Sequence, residues 1–243
     1  MEFHIRCDPQ DIARYVFVPG DHDRAKRIAA HLQGARLVSD SRGYMVYTGM
    51  VEGIPMTVSS TGMGGPQVAI GVEELAHMGA DTFIRIGSCG TFQDDIGVGD
   101  LVVPTGVYRG GATASRYLPP AFPAAPHWQV LSALVEAARK LRAKVHVGVG
   151  SSWDAFYALP DPQLMQKLKQ AGVMAIEMEC DTLFVIGNFR GWRTGAILAN
   201  DGTSKEIKPA WGEEAFRKGE EQEIRIAIEA MKSIALADKQ AKK

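Results

Sequence analysis

The chain has 243 residues, 46% of them hydrophobic, and a formal net charge of −1. That length suits one large α/β domain better than two small ones, and the small, unclustered charge excludes the electrostatic footprint of a nucleic-acid or membrane-surface binder. Three widely spaced cysteines, Cys7, Cys89 and Cys180, match no metal-ligand spacing, Met1-Glu2-Phe3-His4 does not read as a signal peptide, and no apolar run approaches the ~18 residues of a membrane span. A reduced, cytoplasmic, metal-free protein is the expectation.

Apolar strand-like runs alternate with amphipathic segments of helical length, the pattern of an α/β fold. Tyr15 to Val18 reads as a strand ending at Pro19-Gly20, followed by a helix over Arg24 to Leu32. Met45–Tyr47 and Met56–Ser59 form a hairpin through Glu52-Gly53. A glycine turn, Gly62-Met63-Gly64-Gly65-Pro66, opens a helix over Gln67 to Met78. Strands follow at Phe83–Ile86, Asp100–Val103 and Val145–Val149, with helices at His127–Leu141 and Pro162–Ala171. Strands Ile176–Glu179 and Ala196–Ala199 flank a helix at Asp181–Phe189. Glu213 to Leu236 is a long amphipathic helix, and Lys239 to Lys243 reads as a frayed tail. There is no internal repeat, and residues 1–243 read as one domain.

Four segments carry chemistry. In Phe83-Ile84-Arg85-Ile86-Gly87-Ser88-Cys89-Gly90 a core strand is interrupted by an arginine and ends in a glycine-serine turn. A buried guanidinium demands a partner. The turn's N–H groups and hydroxyl can cradle a phosphate-like anion; a structural carboxylate such as Asp94 or Asp95 would serve Arg85 equally. Val18-Pro19-Gly20-Asp21-His22-Asp23-Arg24 is a second strand–turn–helix start, where Gly20 permits close backbone approach and Arg24 can reach the same ligand. Pro-Gly-Asp is also ordinary turn chemistry. In Ala175-Ile176-Glu177-Met178-Glu179-Cys180 two carboxylates project from one face of an apolar strand. Such groups need partners, either ribose hydroxyls or basic side chains. Ala196-Ile197-Leu198-Ala199-Asn200-Asp201-Gly202 ends a strand in a carboxylate, where α/β folds bind ligands. In Ser151-Ser152-Trp153-Asp154-Ala155-Phe156-Tyr157, after another strand end, the aromatic residues can stack on a flat base or pack in the core or a lid. Neither a dinucleotide fingerprint, nor a Walker phosphate loop, nor a Gly-x-Ser-x-Gly elbow occurs.

Taken in order, these motifs resemble the hexameric nucleoside phosphorylases, the family of uridine phosphorylase and the bacterial and archaeal purine nucleoside phosphorylases. The resemblance runs from His4 to the C-terminal helix. It implies a three-layer α/β/α fold with a central mixed sheet. It implies phosphate held by Gly20, Arg24, Arg85 and Ser88, joined by Arg42 of a neighbouring subunit. His4 of the neighbour would contact the ribose 5′-hydroxyl, Met63 would line the sugar pocket and Phe156 would pack on the base. Met178 and Glu179 would hold the ribose, with Glu177 beside them. The implied reaction converts a nucleoside and phosphate to a free base and ribose 1-phosphate, with inorganic phosphate as co-substrate and no further cofactor. A hexamer built as a trimer of dimers, with sites shared between subunits, is the implied assembly.

Two departures bear on the base. The glutamine and arginine with which uridine phosphorylases read uracil are replaced by Ala158-Leu159-Pro160-Asp161-Pro162, a short loop more like that of the purine enzymes. The acid of those enzymes is offered by Asp201, one residue early counting from Glu179; either Asp201 is the general acid or Gly202 occupies that position. The stretch Gly111 to Leu141 resembles uridine phosphorylase at least as well, so purine nucleosides and uridine both remain. A nucleosidase of the same fold would not need Arg24, Arg42 and Arg85 together, and a non-catalytic nucleoside-binding protein would not need Asp201.

Overall fold

A computed structural model describes residues 1–158, 161–202 and 213–241. Nine strands form one mixed sheet: β1 (Tyr15–Phe17), β2 (Gln33–Ser41), β3 (Tyr44–Val51), β4 (Ile54–Ser59), β5 (Thr82–Cys89), β6 (Leu101–Gly110), β7 (Val145–Trp153), β8 (Ala175–Glu177) and β9 (Arg193–Asn200). Their spatial order is β2-β3-β4-β1-β5-β9-β6-β7-β8. The β2–β3, β3–β4 and β6–β9 pairs are antiparallel and the others parallel.

The helices cover both faces because strand residues alternate sides. Tyr15, Phe17, Ile84, Ile86, Ile197 and Ala199 face one way, packing on α1 (His22–Ala29), α3 (Trp128–Lys140) and α6 (Glu214–Ala241). Val16, Val18, Phe83, Ala196 and Leu198 face the other, packing on α2 (Gly65–His77) and α5 (Cys180–Arg190). α4 (Pro162–Gln170) builds a small satellite cluster from Leu164, Met165 and Leu168 with Phe92 and Val173. The expected three-layer α/β/α architecture is present.

An antiparallel bridge between Gly90 and Ile176 ties β8 back to the end of β5, with backbone N–H groups donating at 2.9 Å in both directions. Strands β5, β9, β6, β7 and β8 therefore form a closed circuit, which carries the ends of β5 and β8 to one place.

Some expected boundaries differ. β2 has no counterpart in the pattern reading: it is an edge strand, exposed over Gln33 to Leu37 and bulged against β3, so apolar alternation is absent. β8 stops at Glu177, and Glu179 stands at the N-cap of α5 with φ −138° and ψ −24°. Glu177 and Glu179 thus do not share one strand face. α6 continues to Ala241 through most of the expected frayed tail. Of the Ala158–Pro162 loop, Leu159 and Pro160 lie outside the described residues, as do Lys242 and Lys243.

Candidate active site

A cavity of about 690 Å³ opens where β1, β5, β8 and β9 end, within the size range of small-molecule sites. The β1–α1 turn forms one wall. Asp21 caps α1 by accepting the Arg24 N–H at 2.9 Å, which fixes the helix entry and turns Arg24 inward. A side chain at Gly20 would place Cβ 2.9 Å from the Gly62 carbonyl and 3.8 Å from Arg85 Nη1. Only glycine lets this turn sit between the Gly62 loop and the Arg85 guanidinium.

Two buried arginines stand next to the turn. Arg24 donates from Nη2 to Ser88 Oγ at 2.7 Å, from Nη1 to the Ile86 carbonyl at 3.3 Å, and from Nε to Glu220 at 2.7 Å. Arg85 donates from Nη2 to Glu179, and its Nε lies 3.4 Å from Glu177. Arg85 Nε and Nη1 are buried without a hydrogen-bond partner. Burial opposes its charge, but Glu179 and Glu177 outweigh that and raise its pKa, so the guanidinium stays ionised. Gly20, Arg24, Arg85 and Ser88 all line the cavity. The unpartnered Nη1 of Arg85, a hydroxyl and a glycine turn form an oxyanion cradle. The sequence alternative of Arg85 paired to Asp94 or Asp95 is not realised; Asp94 pairs with Lys169 at 2.9 Å.

The carboxylates are built in from β8 and the start of α5. Glu177 accepts from Ser152 Oγ and from the backbone N–H groups of Glu179 and Cys180, both at 2.9 Å. Glu179 accepts the Gly64 N–H at 2.6 Å, which joins the α2 turn to the site. Burial pushes the Glu179 carboxyl upward against the pull of Arg85. Both alternatives for this pair thus meet: Glu177 and Glu179 are ion-paired, through Arg85, and they border the cavity. Met178 and Met63 line the same region, Met63 largely exposed.

The lining also includes the large apolar side chains Trp153, Phe156, Met165 and Ile176. Asp201 also borders the cavity, 2% exposed, at the end of β5, its N–H donating to the Cys89 carbonyl at 2.9 Å. The β5–β9 register runs unbroken from Thr82↔Arg193 to Cys89↔Asn200, so Asp201 is the first residue beyond the strand.

Two expected residues do not reach this cavity. His4 Nδ1 lies 2.5 Å from Glu74, which also accepts the His4 and Ile5 N–H groups at 3.1 and 2.8 Å. Arg42 is exposed, at φ 52°, with its guanidinium 5.2 Å from the Phe3 ring centroid; that ring also meets His4 edge-on. His4 and Arg42 form a separate outward-facing group.

The sequence reading missed three contributors. Ser152 carries Glu177, and Glu220 and Glu223 stand behind Arg24. The last two interrupt the apolar stripe of α6 between Phe216 and Ala227, an available signal because buried helix faces rarely carry acids. Among the described residues no cluster suited to a metal ion occurs, and no helix is long and apolar enough to cross a membrane.

Comparison with known proteins gives a consistent answer. Curated relatives include a uridine phosphorylase of Thermococcus kodakarensis, 38% identical over 99% of this chain and 89% of its own length. One of Treponema pallidum is 40% identical over 98% and 95%. A guanosine phosphorylase of Halorubrum lacusprofundi is 39% identical over 82% of each chain. The crystal structure of a uridine phosphorylase from Vibrio fischeri superposes with a TM-score of 0.89 at 32% identity, covering 95% of this chain and 96% of that one. The profile of the Phosphorylase superfamily matches residues 14–237, and this chain belongs to that family.

Proposed function

We propose that this protein is a pentosyltransferase that cleaves a nucleoside with inorganic phosphate, releasing free base and ribose 1-phosphate. The observation that carries the reading is the unpartnered Nη1 of Arg85 beside Gly20, in a cavity that Arg24 and Ser88 also line, with Glu179 on the same guanidinium. Phosphate sits in that cradle and the ribose hydroxyls face Glu179, with Met178 and Met63 along the sugar and Glu177 holding the turn. A phosphate oxygen forms the new bond to C1′ as the C1′–N bond breaks, and the electron pair leaves with the base. Fixed arginines supply orientation and charge for this oxocarbenium-like step. Asp201, which borders the cavity, gives a proton or hydrogen bond to the departing base. Phe156 packs on the base. Uridine and guanosine, named for the relatives, are the first substrates to try.

The outward-facing His4 and Arg42 support a shared site: in a trimer of dimers each would complete the neighbour's pocket. Mixing an Arg42→Ala protein with an Arg85→Ala protein tests this. Recovered activity is expected once subunits exchange, because one site of each mixed pair is then intact; no recovery overturns sharing.

The function is tested by base release from uridine, thymidine, inosine, guanosine, adenosine and methylthioadenosine, each with and without phosphate. Release that requires phosphate is expected, with stoichiometric ribose 1-phosphate. Turnover in the absence of phosphate would make the protein a hydrolase, and binding with no release would make it a non-catalytic receptor.

A further inference from the structure

Behind the phosphate cradle, α6 presents two carboxyls to a single guanidinium. Glu220 holds Arg24 Nε at 2.7 Å and also accepts from Arg27 at 2.9 Å. Glu223, one turn further along, is 0% exposed, and both its carboxyl oxygens lack a hydrogen-bond partner. Its Oε1 lies 3.7 Å from Arg24 Nε, a donor already committed to Glu220.

The charged groups that face Glu223 come from three elements: Arg24 of α1, Arg85 of β5 and Glu220 of α6, with the Cys89 thiol of β5 also nearby. No titratable group on β9 faces it; that strand offers the backbone of Ala199. An ionised carboxylate here is shut off from solvent, takes no side-chain hydrogen bond and has only the Ala199 backbone to turn to, a costly state for a buried acid. It would also cancel positive charge that the cradle must present to a dianion.

We infer that Glu223 is a positioning residue of the phosphate site: a neutral carboxylic acid packed behind Arg24, excluding water from the guanidinium while leaving its charge to the incoming phosphate. The inference rests on the phosphate-site reading above. Burial drives the Glu223 carboxyl well above the ordinary carboxylate range, in keeping with that state. Glu220 accepts hydrogen bonds from two arginines, so adjacent acids of identical chemistry divide into an anchor and a neutral wall.

Three variants test this in the full-length protein. Glu223→Ala opens a polar space that water can fill behind Arg24, and the phosphate KM is expected to rise about tenfold or more while the nucleoside KM stays within about threefold. Glu223→Gln, neutral and nearly isosteric, is expected to restore most of that loss. Glu220→Ala, which removes the acceptor that holds Arg24 and Arg27, is expected to raise the phosphate KM as Glu223→Ala does. A Glu223→Gln protein as impaired as Glu223→Ala would show that the negative charge is required and overturn the inference. Infrared difference spectra of wild type against Glu223→Gln provide a second readout that does not depend on phosphate or on Glu223→Ala folding. The carbonyl stretch of a protonated carboxyl is expected in wild type, and its absence overturns the inference. Wild-type protein that never requires phosphate would instead refute the phosphate-site reading, leaving the infrared result to decide the state of Glu223.

Discussion

Arg85 gives Nη2 to Glu179, sets its Nε 3.4 Å from Glu177, and keeps Nη1 without a hydrogen-bond partner beside the Gly20 turn. The same side chain thus touches the carboxylate assigned to ribose and the space assigned to phosphate. Its fork geometry is what makes this possible, because a lysine ammonium is a single point that cannot serve two directions. Arg85→Lys should therefore keep the charge yet lose about 100-fold in kcat/KM, the scale for removing one preorganised donor. Arg85→Ala strands two buried carboxylates and should lower stability by roughly 3–5 kcal/mol. Steady-state kinetics and thermal melting separate the two effects; wild-type kcat/KM in Arg85→Lys would refute the dual role.

Ser152 donates to Glu177 and accepts the Asp181 N–H at 2.9 Å. Ser152→Ala leaves a buried carboxylate and a buried N–H each short of a partner, at a cost of about 1–3 kcal/mol. A fall in melting temperature with a matching loss of ribose affinity is expected. An unchanged melting temperature would mean that water replaces the hydroxyl.

Gly20→Ala places a methyl 2.9 Å from the Gly62 carbonyl, backbone against backbone, so one turn must move. The phosphate KM should rise at least about tenfold, on the scale of losing one charge-assisted hydrogen bond. Far-ultraviolet circular dichroism should not change. Phosphate titration by calorimetry measures the effect directly.

Glu74 gathers His4 and the N-terminal segment onto α2. Burial pushes its carboxyl up, but the donated N–H groups of Ile5 and His4 outweigh burial and hold it below its ordinary value of 4.5. A lowered folded-state pKa gives stability that is complete above about pH 4.5 and lost as pH falls through the folded value. Wild type should thus lose melting temperature faster than Glu74→Gln on acidification below that point. Parallel curves for the two proteins would refute the linkage.

Much of the site was readable because its anomalies are local. A charge inside an apolar strand, a glycine turn before a helix and a strand-end acid each stand out in a few residues, and Gly20, Arg24, Arg85, Ser88, Glu177, Glu179 and Asp201 all border one cavity. That Arg85 and the glutamates answer one another was not readable, since 94 residues separate Arg85 from Glu179 and the β8 turn redirects the second carboxylate. Nor was β2, whose polar edge strand has one partner and no buried face to enforce alternation. Ser152 escaped because its role is to hold another side chain and it carries no motif of its own, whereas Glu220 and Glu223 showed only as acids within the apolar stripe of α6.

The bridge between Gly90 and Ile176 has a consequence for how the molecule folds. Arg85, Glu177 and Glu179 meet only after β9, β6, β7 and β8 have all been laid down and the circuit has shut on β5. None of them can find its partner within a local hairpin, so the loop entropy is spent before the ion pairs repay it. Acquisition of phosphate affinity during refolding should accordingly trail the appearance of helical signal, making ligand binding a clock for the final tertiary step.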